Sequence, residues 1–345
     1  MGHRILPSIV LTLLALAIVY TMGLTFVTIE VERLIEHTIT PLIRRSDSVA
    51  SLSQAIQSDI DEAMRAGHVK LIGYGSLALV VVLTLVGLMT EKGRLASVSG
   101  FAAFLPTFGY FVIHMSFLAG LQVLKALWLP FWGDLVKLGD IAYLPYMMVV
   151  YPLSTVGLDV RRPLASLLSK LGLLVFVLGV LAWFYARFRK RSTADFWLYR
   201  LSRHPQYLGW ILWSYGLMLQ AAQRRDCPPW DVNPGGSLPW LISALAIVCV
   251  ALGEELKMRR EFGEEYAAYQ ANVPFMLPLP RFVRSIASLP LRCLLKTDRP
   301  RNRWQLVLTF VVYTAILMVF SLPFVVLDWP PGRGWMDWPY GAYGG

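Results

Sequence analysis

The chain has 345 residues, 56% of them hydrophobic and only 16% charged, with a formal net charge of +10 and a mean hydropathy of +0.53. Apolar residues arrive in runs about twenty long, the length that crosses a bilayer, so the composition points to a polytopic α-helical membrane protein. The excess of Lys and Arg could suggest a nucleic-acid partner, but these residues cluster in loops beside apolar runs, where orientation and anionic lipid headgroups account for them.

In chain order the runs fall at 5–27, 71–90, 98–124, 141–158, 164–186, 205–222, 238–253 and 304–327, predicting an all-α bundle of about eight transmembrane helices. The first lacks a small-residue cleavage site and reads as an anchor rather than a removed signal. The fourth is the weakest, being short and holding Pro145 and Pro152. With eight crossings, the loops at 28–70, 126–140, 187–204 and 254–303 share a side and carry 22 Lys/Arg against 8 opposite, which makes that side cytoplasmic. If the fourth run does not cross, the split becomes 19 against 11, and 187–204 and 254–303 still face the cytoplasm.

Between the first two runs, Val49, Leu52, Ile56, Ile60 and Met64 recur at spacings of three and four after Pro41 and predict an amphipathic helix. It either packs on the bundle or interface or serves dimerisation or sensing, so a homo-oligomer is open. Residues 223–237 read as a Pro/Gly-rich turn, and the tail after 327 as an aromatic interfacial anchor. Within the runs, His114 reads as a hydrogen-bonded interior residue, while Lys125 and Lys170 snorkel from span ends. Cys227, Cys249 and Cys293 lie far apart without a Cys/His cluster, so neither a disulfide framework nor a metal site is expected.

Two stretches carry chemistry. In LSRHPQYLGW, residues 201–210, Pro205 keeps His204 out of helical geometry and fits the first turn of the sixth span. The unpaired N–H groups of that turn, with Arg203 beside them, form an anion-binding position. Tyr207 falls in the first turn, and Gly209 lies a turn further on, where a ligand or another helix can approach. The seventh span runs back to the same membrane face and ends in LGEELKMRREFGEEYAAYQANVPFMLPLP, so Glu254 and Glu255 emerge near Arg203 and His204. Two carboxylates at the end of an apolar helix call for compensation. Phe262, Tyr266 and Tyr269 follow on one face, as packing or as a flat-ring contact. An anionic end, a cation or hydroxyls, and a ring would suit these groups. S-adenosylmethionine has all three, although the residues permit it without singling it out.

This pair of motifs resembles the C-terminal motifs of the membrane methyltransferases that include isoprenylcysteine carboxyl methyltransferase and the phospholipid N-methyltransferases. The resemblance covers about residues 195–280, roughly a quarter of the chain. Arg203, His204, Pro205, Tyr207 and Gly209 match the first motif, and Glu254, Glu255, Phe262, Gly263, Tyr266, Tyr269 and Pro274 the second. It implies a helical bundle enclosing S-adenosylmethionine at the cytoplasmic face, with a lipid-like or prenylated acceptor entering from the bilayer. Residues 1–163 would then be an N-terminal membrane region, 164–285 the catalytic core and 286–345 a C-terminal helix and tail. Arg203, His204 and Glu255 would be the catalytic set, and Arg203, His204, Pro205, Tyr207, Gly209, Glu254, Glu255, Tyr266 and Tyr269 the cofactor-binding set. One departure is Asn272, where the isoprenylcysteine enzymes carry Arg, and this argues against a carboxylate acceptor of their kind. Membrane sterol reductases resemble the same C-terminal fold but bind a nicotinamide dinucleotide, whose phosphates call for more basic residues. The double Glu and FGEEYAAYQANVP favour methyl transfer. A non-catalytic scaffold or sensor is the third expectation.

Overall fold

The computed structural model describes residues 11–13, 15–27, 67–90, 93–112, 133–189, 196–223 and 237–326. Helices α1, Leu11–Val27, α2, Gly67–Met89, and α3, Gly93–Val112, come first. A 3₁₀ segment, Gly133–Tyr143, leads into α4, Leu144–Thr155. Then follow α5, Arg161–Phe188, a 3₁₀ turn at Trp197–Arg200, and α6, Pro205–Ala222. The chain continues with α7, Ser237–Asn272, α8, Arg281–Leu295, and α9, Arg303–Val326. Among the described residues there is no strand, as an all-α chain requires.

Three of these helices, α5, α7 and α9, are long and apolar enough to cross a membrane, and shorter apolar helices lie at Leu11–Val27, Tyr74–Met89 and Leu95–Phe104. The expected eight spans are therefore only partly visible. The fourth run splits into the end of the 3₁₀ segment and a twelve-residue helix, with Pro145 in its first turn and Pro152 inside. A helix that short rises about 18 Å, well under a hydrocarbon core. The predicted amphipathic helix at 46–66, His114, Lys125, Cys227 and the tail after 327 fall outside the described residues.

The most extensive packing joins α5 to α6. Along α5, Ala165, Ser169, Gly172, Phe176 and Gly179 alternate spacings of four and three, which puts them on one face. Gly209 and Gly216 of α6 meet this face so closely that a Cβ at Gly209 would lie 2.4 Å from the Phe176 nitrogen, and one at Gly216 2.5 Å from that of Ser169. Small residues thus bring two backbones into contact, the usual means of helix association where water provides no driving force. Beside this seam Phe104, Phe176, Trp210, Trp213, Leu217 and Ile247 form a buried cluster binding α3, α5, α6 and α7.

At one end of α7 the Ser237 hydroxyl is 2.5 Å from an Asp140 carboxyl oxygen, and the Ile141 N–H donates to the Ser321 hydroxyl at 3.2 Å, tying the 3₁₀ segment to α7 and α9. Towards its other end α7 bends at Gly263, whose φ of 49° and ψ of −120° a residue with a Cβ adopts only under strain. The bend turns the last two turns of α7 back under the start of α6.

Candidate functional site

The site forms where the start of α6 meets the later part of α7. His204, with φ −129° and ψ 59°, stands outside the helix, and Pro205 opens it without any side chain capping its first turn. The residue before it, Arg203, has a side chain only 1% exposed. Its Nε donates to Glu255 Oε1 at 2.6 Å, its Nη1 donates to the carbonyls of Gln270, at 3.0 Å, and of Val273, and its backbone N–H donates to the carbonyl of Pro274 at 3.0 Å. One guanidinium thereby stitches α6, α7 and the segment after α7 together.

Glu255 is equally enclosed. Gln270 Nε2 donates to its Oε2 at 2.8 Å, Gln270 Oε1 in turn accepts from Arg259 Nε at 2.6 Å, and Arg299 Nη1 stands 4.0 Å from the same carboxylate. A buried carboxylate with this set of donors stays charged and rigidly oriented. Arg203 Nη2, by contrast, is buried with no hydrogen-bond partner, which is costly unless a ligand or water supplies an acceptor.

The neighbouring Glu254 goes another way. It is half exposed and accepts from the Tyr207 hydroxyl at 2.7 Å. His204 sits between the two carboxylates, with Nδ1 3.8 Å from Glu254 and Nε2 3.5 Å from Glu255, both beyond ordinary hydrogen-bond length. Its ring packs edge-on against Phe275 at 5.1 Å and tilted against Tyr207 at 5.8 Å.

A cavity of about 800 Å³ opens from the Arg203–Glu255 pair between α7, α8 and α9. Its apolar wall is a face of α7, with Leu245, Val248 and Leu252, facing Leu291 of α8 and Tyr313 of α9. Its polar wall carries five arginines, Arg203, Arg281, Arg284, Arg292 and Arg299, against two carboxylates, Glu255 and Asp298. Burial, and after it the neighbouring guanidinium groups of Arg203, Arg259 and Arg284, lower the pKa of Arg299, which Glu255 opposes. This is an environment short of negative charge.

The sequence-derived residues therefore divide into three groups. Arg203 and Glu255 face the cavity, while His204, Tyr207 and Glu254 form a cluster on the other side of that pair, outside its lining. Gly209 turns to α5, taking the helix-packing alternative rather than the ligand one. The aromatic stripe largely packs on itself and on the preceding turn: Tyr266 is buried, its ring centroid lies 5.9 Å from that of Tyr269, and Tyr269 donates its hydroxyl to the Tyr199 carbonyl at 2.7 Å. Asn272 donates to the Ala268 carbonyl at 3.0 Å while lining the cavity.

Gln270 and the arginines at 281, 284, 292 and 299 were not singled out in the sequence. Reading 254–303 as a loop hid α8. Its signal was Phe282, Ile286, Leu289 and Cys293, spaced four, three and four apart between arginines, a helical period despite Pro290.

Comparison with known proteins adds one match. Residues 141–273 fit the model of a family described as Protein of unknown function (DUF1295), made up of membrane proteins like steroid 5-alpha reductases. The match spans the 3₁₀ end and α4 to α7, and stops before α8 and α9. No curated protein and no solved structure matches the chain.

Proposed function

We propose that this chain is a membrane methyltransferase that uses S-adenosylmethionine to methylate a nitrogen, oxygen or sulfur nucleophile on a lipid-like acceptor. The observation carrying the reading is the 2.6 Å contact between Arg203 and Glu255, which joins the two methyltransferase-like motifs at the head of a large cavity. The residues there fit the cofactor. The guanidinium of Arg299 suits its carboxylate, and the apolar wall of α7 excludes water. When bound, the cofactor would supply an activated methyl group for transfer to the acceptor's nucleophile, its sulfonium becoming a neutral thioether.

The chain's own contribution is positional. Glu255 and Gln270 fix Arg203 at the head of the cavity. Glu255, held by hydrogen bonds from Arg203 and Gln270, is a positioning residue in this scheme. Calorimetric titration of the detergent-solubilised protein tests it. Saturable binding of S-adenosylmethionine and its demethylated product, weakened about tenfold by Arg299→Gln, is expected. Binding of neither compound by folded protein sinks the reading.

A second reading, reduction by hydride transfer from a nicotinamide dinucleotide, is favoured by two observations. The matched family is of steroid-reductase-like proteins, and five arginines line the cavity, the basic surplus that dinucleotide phosphates require. Titration with the reduced dinucleotide in the same experiment separates the readings, because binding of that compound alone selects this one.

A further inference from the structure

We propose that the cavity between α7, α8 and α9 seats an anionic amphiphile, its head among Arg281, Arg284 and the free Nη2 of Arg203, and its chain along the apolar face of α7. As the seat of a methyl acceptor this rests on the reading above; as a binding site it does not.

Four features carry it. The first is an imbalance of charge at the cavity wall. Arg203 is paired with Glu255, and Arg292 reaches Asp298 at 3.4 Å, but Arg281 and Arg284 have no carboxylate partner among the described residues. Arg284 makes only a long 3.4 Å contact with the Leu279 carbonyl. The second is Arg203 Nη2, buried and without an acceptor where the cavity meets the Arg203–Glu255 pair. Guanidinium groups converging in this way match a phosphate or similar anion better than they match one another.

The third feature is the shape of α8. Arg281, Arg284, Ser285, Ser288 and Arg292 turn towards the cavity, while Phe282, Ile286, Leu289 and Leu294 are each more than half exposed on the outside. A helix that turns its cations to an open cavity and its large apolar residues to the outside is inverted for water but suited to the edge of a bilayer. Its outer face sits among acyl chains and its inner face offers the headgroup a polar harbour. Tyr313 of α9 donates its hydroxyl to the Ala287 carbonyl, holding α8 in that position.

The fourth is the apolar arm. Leu245, Val248 and Leu252 follow each other along one face of α7, so the arm extends about 15 Å from Glu255 back into the bundle. An anion at one end and a slot of that length at the other define an amphiphile, not a free ion. Half of this site, α8 and α9, lies beyond the residues that the family model matches.

Lipid retention by the full chain in nanodiscs tests the proposal without any cofactor present, so its outcome is independent of methyl transfer. The probes are phosphatidic acid and phosphatidylcholine with identical chains, counted by native mass spectrometry after competition with glycerol 3-phosphate, pyrophosphate or reduced dinucleotide. Two variants are compared: the double exchange Arg281→Gln with Arg284→Gln at exposed positions, and Val248→Trp, which fills the arm. Both are checked for an unchanged melting midpoint. Phosphatidic acid is expected to be retained over phosphatidylcholine, about tenfold more weakly in the double variant, and to be lost in Val248→Trp. Equal retention of both lipids overturns the proposal. So does displacement by a soluble anion, which assigns the arginines to free phosphate or a nucleotide, and so does retention that survives Val248→Trp, which reduces the effect to headgroup attraction at the surface.

Discussion

The two ends of the apolar stretch of α7, residues 238–253, handle a neighbouring carboxylate in opposite ways. At one end Glu255 is held by Arg203, Gln270 and the more distant Arg299. At the other, Asp140 meets the Ser237 hydroxyl at 2.5 Å and a more distant charge on Lys137, and burial outweighs both, pushing its carboxyl up to about 6. A hydroxyl can satisfy a neutral acid, but only cations stabilise a carboxylate withdrawn from water. The difference indicates where charge is used: at the Glu255 end it is stabilised and aimed at a cavity, and at the Asp140 end burial disfavours it, so that the carboxyl takes up a proton near pH 6, and the residue serves to join helices.

The largest effect should come from breaking the charged end. Glu255→Gln leaves the Arg203 guanidinium buried without its counter-ion and should cost about 3–5 kcal/mol of stability. Denaturant unfolding in detergent, followed by the signal of the buried Trp210 and Trp213, would measure it. Replacing both partners, Arg203→Met with Glu255→Leu, should recover most of that loss, because removing a whole buried pair is often close to neutral. If the double variant is as unstable as the single one, the pair is not an isolated electrostatic unit. Ligand binding should be absent in both, separating stability from the site.

Next comes the seam that fixes the base of the site. Gly209→Ala places a methyl group against the Phe176 backbone and should cost about 1–3 kcal/mol, while leaving the Arg203–Glu255 pair chemically intact. Its melting midpoint should fall, and ligand affinity measured well below that midpoint should hold near the wild-type value. A loss of affinity as large as that of Glu255→Gln would mean that Gly209 touches ligand after all.

Much of this was legible in the sequence, for identifiable reasons. Pro205 marked the start of α6, and the paired motifs on either side of one hairpin announced that Arg203 and His204 would meet Glu254 and Glu255. What the spacing could not tell was which carboxylate turns inward. Residues 254 and 255 differ by about 100° around a helix, and the direction is set by the rotation of α7 against α3 and α9. Gly209 left two alternatives open for a similar reason, since the absence of a side chain signals a close approach without naming the partner. Gln270 was obscured by the bend at Gly263, which brings it under Arg203 although the two are far apart in sequence. The helix α8 was missed because hydropathy runs find spans, and a helix whose apolar face alternates with arginines has none. The eight expected spans were counted from runs alone. Length then showed that the fourth contains a helix too short to cross.

An effect confined to a narrow pH window sharpens the contrast from the Asp140 end. With a folded value near 6 against an ordinary value of 3.8, Asp140 binds its proton more tightly in the folded protein than in the unfolded one. Its contribution to stability is therefore complete below about pH 4 and is lost as pH rises through 6, amounting to about 2–3 kcal/mol over that window. Glu255, surrounded by donors, cannot mimic this sign, because its stability requires the charged form. Asp140→Asn keeps a hydrogen-bonding group beside Ser237 but has no proton to lose, so the fall in melting midpoint between pH 4 and 6 should flatten while the site at the other end of α7 is unaffected. A wild-type profile that is flat over this range, or an unchanged slope in Asp140→Asn, would show that the acid at this end is solvated and that the two ends of α7 do not differ as the geometry requires.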